Sequence, residues 1–177
     1  MKKALFISIA FICVLGSCTR PRPTEINSPD NTIKLAFYLN DSNQMAYHIT
    51  VNDTTVIAPA ILGYEAKDGI NLSEDFHITG TDFDSKDGRW TQKWGDKKSI
   101  RNHCNELDVD LTDTKETLLT LRFRVFNDGI GFRYEYQVPD ADSLFITDEL
   151  TSFNIAQDGT SWSIPASFDT YELLYRT

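Results

Sequence analysis

Sulfur, histidine and clustered positive charge are all scarce in this chain, and each scarcity removes a class of function. The 177 residues hold three cysteines and three histidines. Cys13 and Cys18 fall in the first eighteen residues, which leaves Cys104 alone in the body of the chain. A lone thiol closes no intramolecular disulfide, even in an oxidising compartment. Cys104 does not read as a nucleophile either. Its neighbour His103 would point to the opposite side of a strand, so a buried structural thiol is the expectation. His48, His77 and His103 share no ligand spacing, which argues against zinc. Lys and Arg total 17 against 26 Asp and Glu, for a formal charge of −9. With nothing basic clustered, nucleic acid is not an expected partner, and the acidic excess reads as a solvated surface. Acids are abundant, yet no two can be assigned the paired acid and base roles of a glycosidase. Internal repeats are absent, and no amphipathic helix of three or more turns follows the first segment.

What is present begins with a processing signal. Lys2 and Lys3 precede an almost unbroken apolar stretch over 4–15, too short to span a bilayer comfortably but suited to secretion. Leu15-Gly16-Ser17-Cys18 has the small residues before a cysteine that mark a bacterial lipobox. The expectation is a signal peptide over 1–17 and lipidation of Cys18. Residues 18–30, with Pro21, Pro23 and Pro29, would form a lipidated tether. Order is expected from about Asn31, and the domain from 31 to 177.

The body reads as short alternating strands. Ile33, Leu35, Phe37 and Leu39 alternate with Lys34, Ala36 and Tyr38, and 40–43 turns the chain. Met45, Tyr47, Ile49 and Val51 repeat the pattern before Asn52-Asp53, and 54–57 returns. A weaker strand is expected near 76–79, a loop over 80–95, and a strand at 105–111. The firmest element is a hairpin over 118–138. Leu121, Phe123 and Val125 lead into Asn127-Asp128-Gly129, whose residues tolerate positive φ, and Ile130, Phe132, Tyr134 and Tyr136 lead out. Further strands are expected near 144–147 and 151–156. The fold class is all-β, a large β-sandwich.

Two local motifs invite chemistry. Asp82-Phe-Asp-Ser-Lys-Asp-Gly88 has alternate aspartates, but the third falls one position late and Lys93 stands where an EF-hand needs glutamate. It reads as an acidic surface loop. Trp90, Trp94 and Trp162 could stack on sugar rings or fill core.

Several motifs in order carry a resemblance. They are Ser28-Pro-Asp-Asn-Thr-Ile33, Ala46-Tyr-His-Ile-Thr-Val51, Leu62-Gly63, Trp94-Gly95 and Ile100-Arg-Asn-His-Cys-Asn-Glu-Leu107. Phe123-Arg-Val-Phe-Asn-Asp-Gly-Ile-Gly-Phe-Arg-Tyr134, Trp162 and Tyr171-Glu172 follow. Together they resemble the amino-terminal domain of glycoside hydrolase family 97 over nearly all of 28–177. Cys104 departs from that pattern, standing where an aromatic residue is common.

The resemblance implies a galactose-mutarotase-like supersandwich, incomplete at its C-terminal end. It also implies a following catalytic (β/α)₈ barrel that lies beyond this sequence and supplies the catalytic residues. The full-length parent would be an exo-acting α-glycosidase, an α-glucosidase or α-galactosidase, dependent on calcium. This domain would pack on the barrel, wall one side of the pocket for an α-linked oligosaccharide or glycoside, and lend Glu172 as a metal ligand. Alone it would be inactive. The alternative is a stand-alone envelope lipoprotein that binds glycans without catalysis.

Location follows from the anchor: a bacterial cell envelope, periplasmic or outer membrane. Lipid chains contribute about 0.8 kcal/mol per buried CH₂. Cys18→Ser is therefore expected to move the protein from the membrane to the soluble fraction of its native host. A wild type already soluble on fractionation would refute the anchor.

Overall fold

The computed structural model describes residues 23–67, 70–138, 143–167, 169 and 173–176. Among these residues there are eleven strands and no α-helix. The first sheet is an antiparallel meander of β1 (Thr24–Asn27), β2 (Ile33–Leu39), β3 (Met45–Val51) and β4 (Thr54–Ile61). The second consists of β7 (His77–Thr91), β8 (Ser99–Thr112), β9 (Leu118–Phe126) and β10 (Ile130–Gln137), in the order β10-β9-β8-β7. A small third sheet joins β5 (Tyr64–Ala66) to β6 (Asn71–Leu72) and to β11 (Ile146–Glu149).

The two large sheets face each other across one apolar core. Leu119, Leu121, Phe123 and Val125 of β9 are buried at every second position, as the period of a half-buried strand requires. Leu107, Val109 and Leu111 of β8 do the same beside them, and Leu35, Phe37 and Tyr47 come from the opposite sheet. Phe123 is the hinge of the contact. Its ring lies 5.8 Å from Phe37 across the sandwich and 5.9 Å from Phe132 on its own sheet. Phe132 in turn lies 5.9 Å from Tyr47. These tilted contacts set β2 over β9 and β3 over β10, and Asn105 reaches from β8 to the Asn27 carbonyl of β1 at 2.9 Å. The sheets are therefore offset by one strand, and β7 lies beyond the edge of the first sheet.

Turn chemistry fixes the registers. Asn52 and Asp53 hold φ of 48° and 60°, the two-residue hairpin conformation these side chains tolerate, and Val51 pairs with Thr54. The 127–129 turn exists as expected, with Val125 opposite Ile130, but none of its three residues has positive φ. Its Asn127 Oδ1 instead accepts the Asp30 N–H at 3.1 Å and ties the two sheets together. Gly63 has φ of 142°, and a Cβ there would lie 2.6 Å from the Ser73 Cβ, so the chain needs glycine where β4 passes into β5.

Three local expectations change. Residues 24–27, inside the expected tether, form a strand: β1 pairs with β2 from Thr24↔Phe37 to Asn27↔Lys34, and Ile26 is buried. The expected 80–95 loop is largely strand, because β7 continues to Thr91 in register with β8. Both faces of β7 are exposed along most of its length, so no apolar alternation marks it in the sequence. The expected strand at 151–156 is an extended segment beside β4, bonded at Ala58 N–H to Asn154 O (2.8 Å) and Ala156 N–H to Val56 O (3.0 Å).

Phe123→Ala is expected to cost about 3–5 kcal/mol, because it empties a site touched by both sheets. Urea titration of the full-length protein checks this. A loss within that of a typical surface substitution would show that Phe123 is not the hinge of the core.

Candidate functional site

The outward face of the second sheet carries an ordered row of charge. Alternation that turns Leu107 and Phe123 inward turns Glu106, Asp108, Arg122 and Arg124 outward. Glu106 is 6% exposed and accepts from Arg124 Nε at 2.6 Å, with Lys86 Nζ at 3.4 Å. Arg122 grips Asp108 through two bonds, Nε to Oδ1 at 2.7 Å and Nη2 to Oδ2 at 2.5 Å. Its third nitrogen lies 3.4 Å from Glu135, which Arg133 also binds at 2.6 Å. The bond to Asp108 holds the Arg122 guanidinium well above its ordinary range. Lys86 also binds Asp84, which lowers the Asp84 carboxyl and raises the lysine. These acids are all engaged by cations, an arrangement that builds a sheet face and leaves no free acid–base pair.

Cys104 ends this row. It is fully buried, opposite Lys86 and Phe126, and lies on the charged side of β8 instead of in the sandwich core. Burial pushes its thiol up. The expectation of a buried structural thiol is thus met at an unexpected place.

A tyrosine cluster joins the third sheet to the second. Tyr136 donates to the Leu72 carbonyl at 2.6 Å, and Tyr134 accepts the Gly63 N–H at 3.1 Å. Tyr64 stands edge-on to Tyr134 at 4.9 Å. Burial raises both hydroxyls of β10, so they stay protonated and serve as hydrogen-bonding groups.

The residues singled out from sequence are scattered. Cys18 and Glu172 lie outside the described residues. His48, His77 and His103 stand on β3, β7 and β8, and His77 and His103 face opposite ends of the β7–β8 ladder. Among the described residues no group of three or more His, Cys, Asp or Glu could hold a metal ion. The Asp82–Asp87 motif is strand, with Asp87 bonded twice to Arg101 at 2.8 Å, so it forms no calcium loop. Trp90 and Trp94 belong to the far end of the β7–β8 hairpin. Trp162 is two-thirds exposed, and its neighbour Ser163 exchanges both backbone bonds with Arg176, at 2.9 and 2.8 Å. That bridge brings Trp162 close to the 173–176 segment, where Leu174 and Tyr175 are also exposed.

This sandwich is matched in known proteins. Residues 26–177 match the family described as Glycosyl-hydrolase 97 N-terminal. The chain belongs to that family. A retaining alpha-galactosidase of Bacteroides thetaiotaomicron is 24% identical across 100% of this chain and 27% of its own length. A glycoside hydrolase family 97 enzyme of Pseudoalteromonas sp. strain K8 has been solved with panose and with acarbose. It is 32% identical at a TM-score of 0.76, over 86% of this chain and 24% of that one. A beta-arabinopyranosidase at 22% identity and a TM-score of 0.76 shares the fold, over 86% of this chain and 26% of its own. The chain thus spans about a quarter of the length of these relatives.

The family domain described here carries one accessible test of its buried row. At pH 8 Cys104 is expected to react with an aromatic disulfide on the order of a hundredfold slower in the native protein than in urea, since burial keeps it protonated and covered. Equal rates would place the thiol at the surface.

Proposed function

We propose that this domain is the non-catalytic amino-terminal part of a calcium-dependent, exo-acting α-glycosidase of family 97, acting on an α-glucoside or α-galactoside. The observation that carries the reading is the family match over 26–177, joined to 32% identity with an enzyme whose solved structures hold panose and acarbose. In this reading catalysis belongs to a barrel domain of the same polypeptide, and the sandwich packs against it and walls the substrate pocket.

Calcium takes six to eight oxygen ligands. The described residues do not supply such a set. The resemblance to the family implies that the amino-terminal domain contributes one carboxylate, Glu172, and that the remaining ligands come from the barrel. When bound, the ion would stabilise negative charge near the sugar. The pairing of Ser163 with Arg176 sets Trp162 beside the chain that follows Glu172. We also place the enzyme in the bacterial envelope, held by lipid on Cys18.

The alternative of a glycan-binding lipoprotein without catalysis draws support from the exposed tryptophans. Assay separates the two. The full-length protein is expected to hydrolyse a nitrophenyl α-glycoside, and Glu172→Gln to weaken calcium binding and lower activity, with partial rescue at high calcium because mass action offsets lost affinity. Titration calorimetry and a calcium series measure both. A glutamine variant equal to wild type in affinity and rate would return Glu172 to the surface acids, and a full-length protein that binds glycans without turnover would favour the alternative.

A further inference from the structure

The β7–β8 hairpin is longer than the sheet that supports it. Its strands pair from His77↔Thr112 to Thr91↔Ser99, but β9 accompanies β8 only as far as Cys104. The pairs from Asp87↔His103 to Thr91↔Ser99 consequently form a two-stranded ribbon with no third strand among the described residues, closed by the loop 92–98. At about 3.4 Å per residue these pairs carry the loop roughly 15 Å clear of the sheet. A lone two-stranded ribbon is marginal in water. This one is nevertheless well formed at its tip. Gln92 donates from its backbone to Lys98 O at 3.1 Å and from its side chain to Lys97 O at 2.7 Å. Gly95 turns the loop at φ of 115°.

The ribbon has two chemically different sides. Trp90 and Ile100 are paired and share one side, while Arg89 and Arg101 share the other. Trp94 sits in the loop at 86% exposure. The ribbon and its loop, 87–103, hold Arg89, Lys93, Lys97, Lys98 and Arg101 against Asp87 and Asp96, with Asp87 bonded to Arg101, in a chain of formal charge −9. Arg89, Lys93, Lys97 and Lys98 make no ion pair among the described residues. These cations lie in one contiguous stretch, so the reading that nothing basic is clustered does not hold for this segment. Exposed tryptophan framed by arginine and lysine is the composition of an interface anchor with electrostatic steering around it.

We propose that the end of the β7–β8 ribbon is a docking finger, seated in an acidic recess with an apolar floor on the catalytic portion of the same polypeptide. The inference rests on the family reading above, and adds to it the element that makes the contact and the chemistry of the surface that receives it. Two observations select this occupant. The chain spans only about a quarter of the length of its relatives, so the remaining part of such a polypeptide is held beside the finger at high effective concentration. The finger is positive in a chain of formal charge −9, so the surface that receives it is one that meets cations with carboxylates. In the docked state Trp94 fills the recess, Lys93, Lys97 and Lys98 meet its carboxylates, and the Trp90–Ile100 side lies along its wall.

The test uses the full-length protein and lysine acylation read by mass spectrometry. For Lys93, Lys97 and Lys98 the native rate is compared with the rate of the same lysine in urea. Docking predicts native rates at least about tenfold lower at low salt, rising toward the unfolded rate in 1 M NaCl and in Trp94→Ala. Lys97→Glu with Lys98→Glu should likewise free Lys93. Native lysines that react within about twofold of their unfolded rates, in a protein that hydrolyses an α-glycoside, overturn the finger and leave the enzyme reading intact. Protected lysines in a protein without glycosidase activity overturn the enzyme reading and leave the finger docked. Protection that appears only on adding phosphatidylglycerol vesicles assigns the finger to lipid and overturns the proposal.

Discussion

The contact of Phe123 with Phe37 on one side and Phe132 on the other fixes how the sheets of this domain face each other. Side chains on a strand alternate strictly, so committing Phe123 to the interior commits Leu121 and Val125 with it and sends Arg122 and Arg124 outward. A slip of one residue would bury two guanidinium groups and expose the core of β9. The paired Arg122–Asp108 and Arg124–Glu106 contacts oppose the same slip from the outer face, since their partners on β8 obey the same alternation. Hydrophobic burial and charge pairing thus select one register from opposite sides of a single sheet.

That double selection divides the domain into a part that is self-sufficient and a part that is not. Where β8 and β9 run together, every buried polar side chain among the described residues has a partner. Beyond Cys104 the ladder loses its third strand, and beyond Phe132 the aromatic packing passes to exposed Phe153. Large exposed side chains stand at these margins, among them Trp90 and Trp94 on the hairpin end, and others, Trp162, Leu174 and Tyr175, stand on the last segment. An exposed apolar margin beside a closed core is the expected form of a surface that meets another domain.

The strands with one wet face were legible in the sequence, because burial on one side writes a period of two. Ile33–Leu39, Met45–Val51 and the 118–138 hairpin fall where that period places them. β7 was not legible: Asp82, Asp84, Lys86 and Arg89 face solvent on both sides, and only pairing with β8 makes the segment a strand. β1 was hidden by the prolines that flank it, since Ile26 is its single buried anchor and four-residue signals are weak. Of the candidate site residues, Trp162 and Glu172 were singled out only through likeness to a family, and Glu172 lies outside the described residues. Residue chemistry alone assigns a lone carboxylate no role. The charged row was invisible for a different reason: its members come from four strands, and only the fold places them side by side.

The pairing order of the strands also governs how the chain assembles. In both large sheets every hydrogen-bonded neighbour is the next strand in sequence, so each meander closes through short loops of low entropic cost. The third sheet is different, because β11 must return across some eighty positions to reach β5. Its pairing rewards the chain only after the intervening strands are in place. As the chain emerges in synthesis, the first meander can therefore form and wait, the second can close on it through Phe37 and Phe123, and the β5–β11 clasp follows, before the 151–156 segment joins β4. A delay in synthesis between Gln137 and Ile146 would leave a nearly finished sandwich with its clasp open, which makes that interval the vulnerable moment in the biogenesis of the protein.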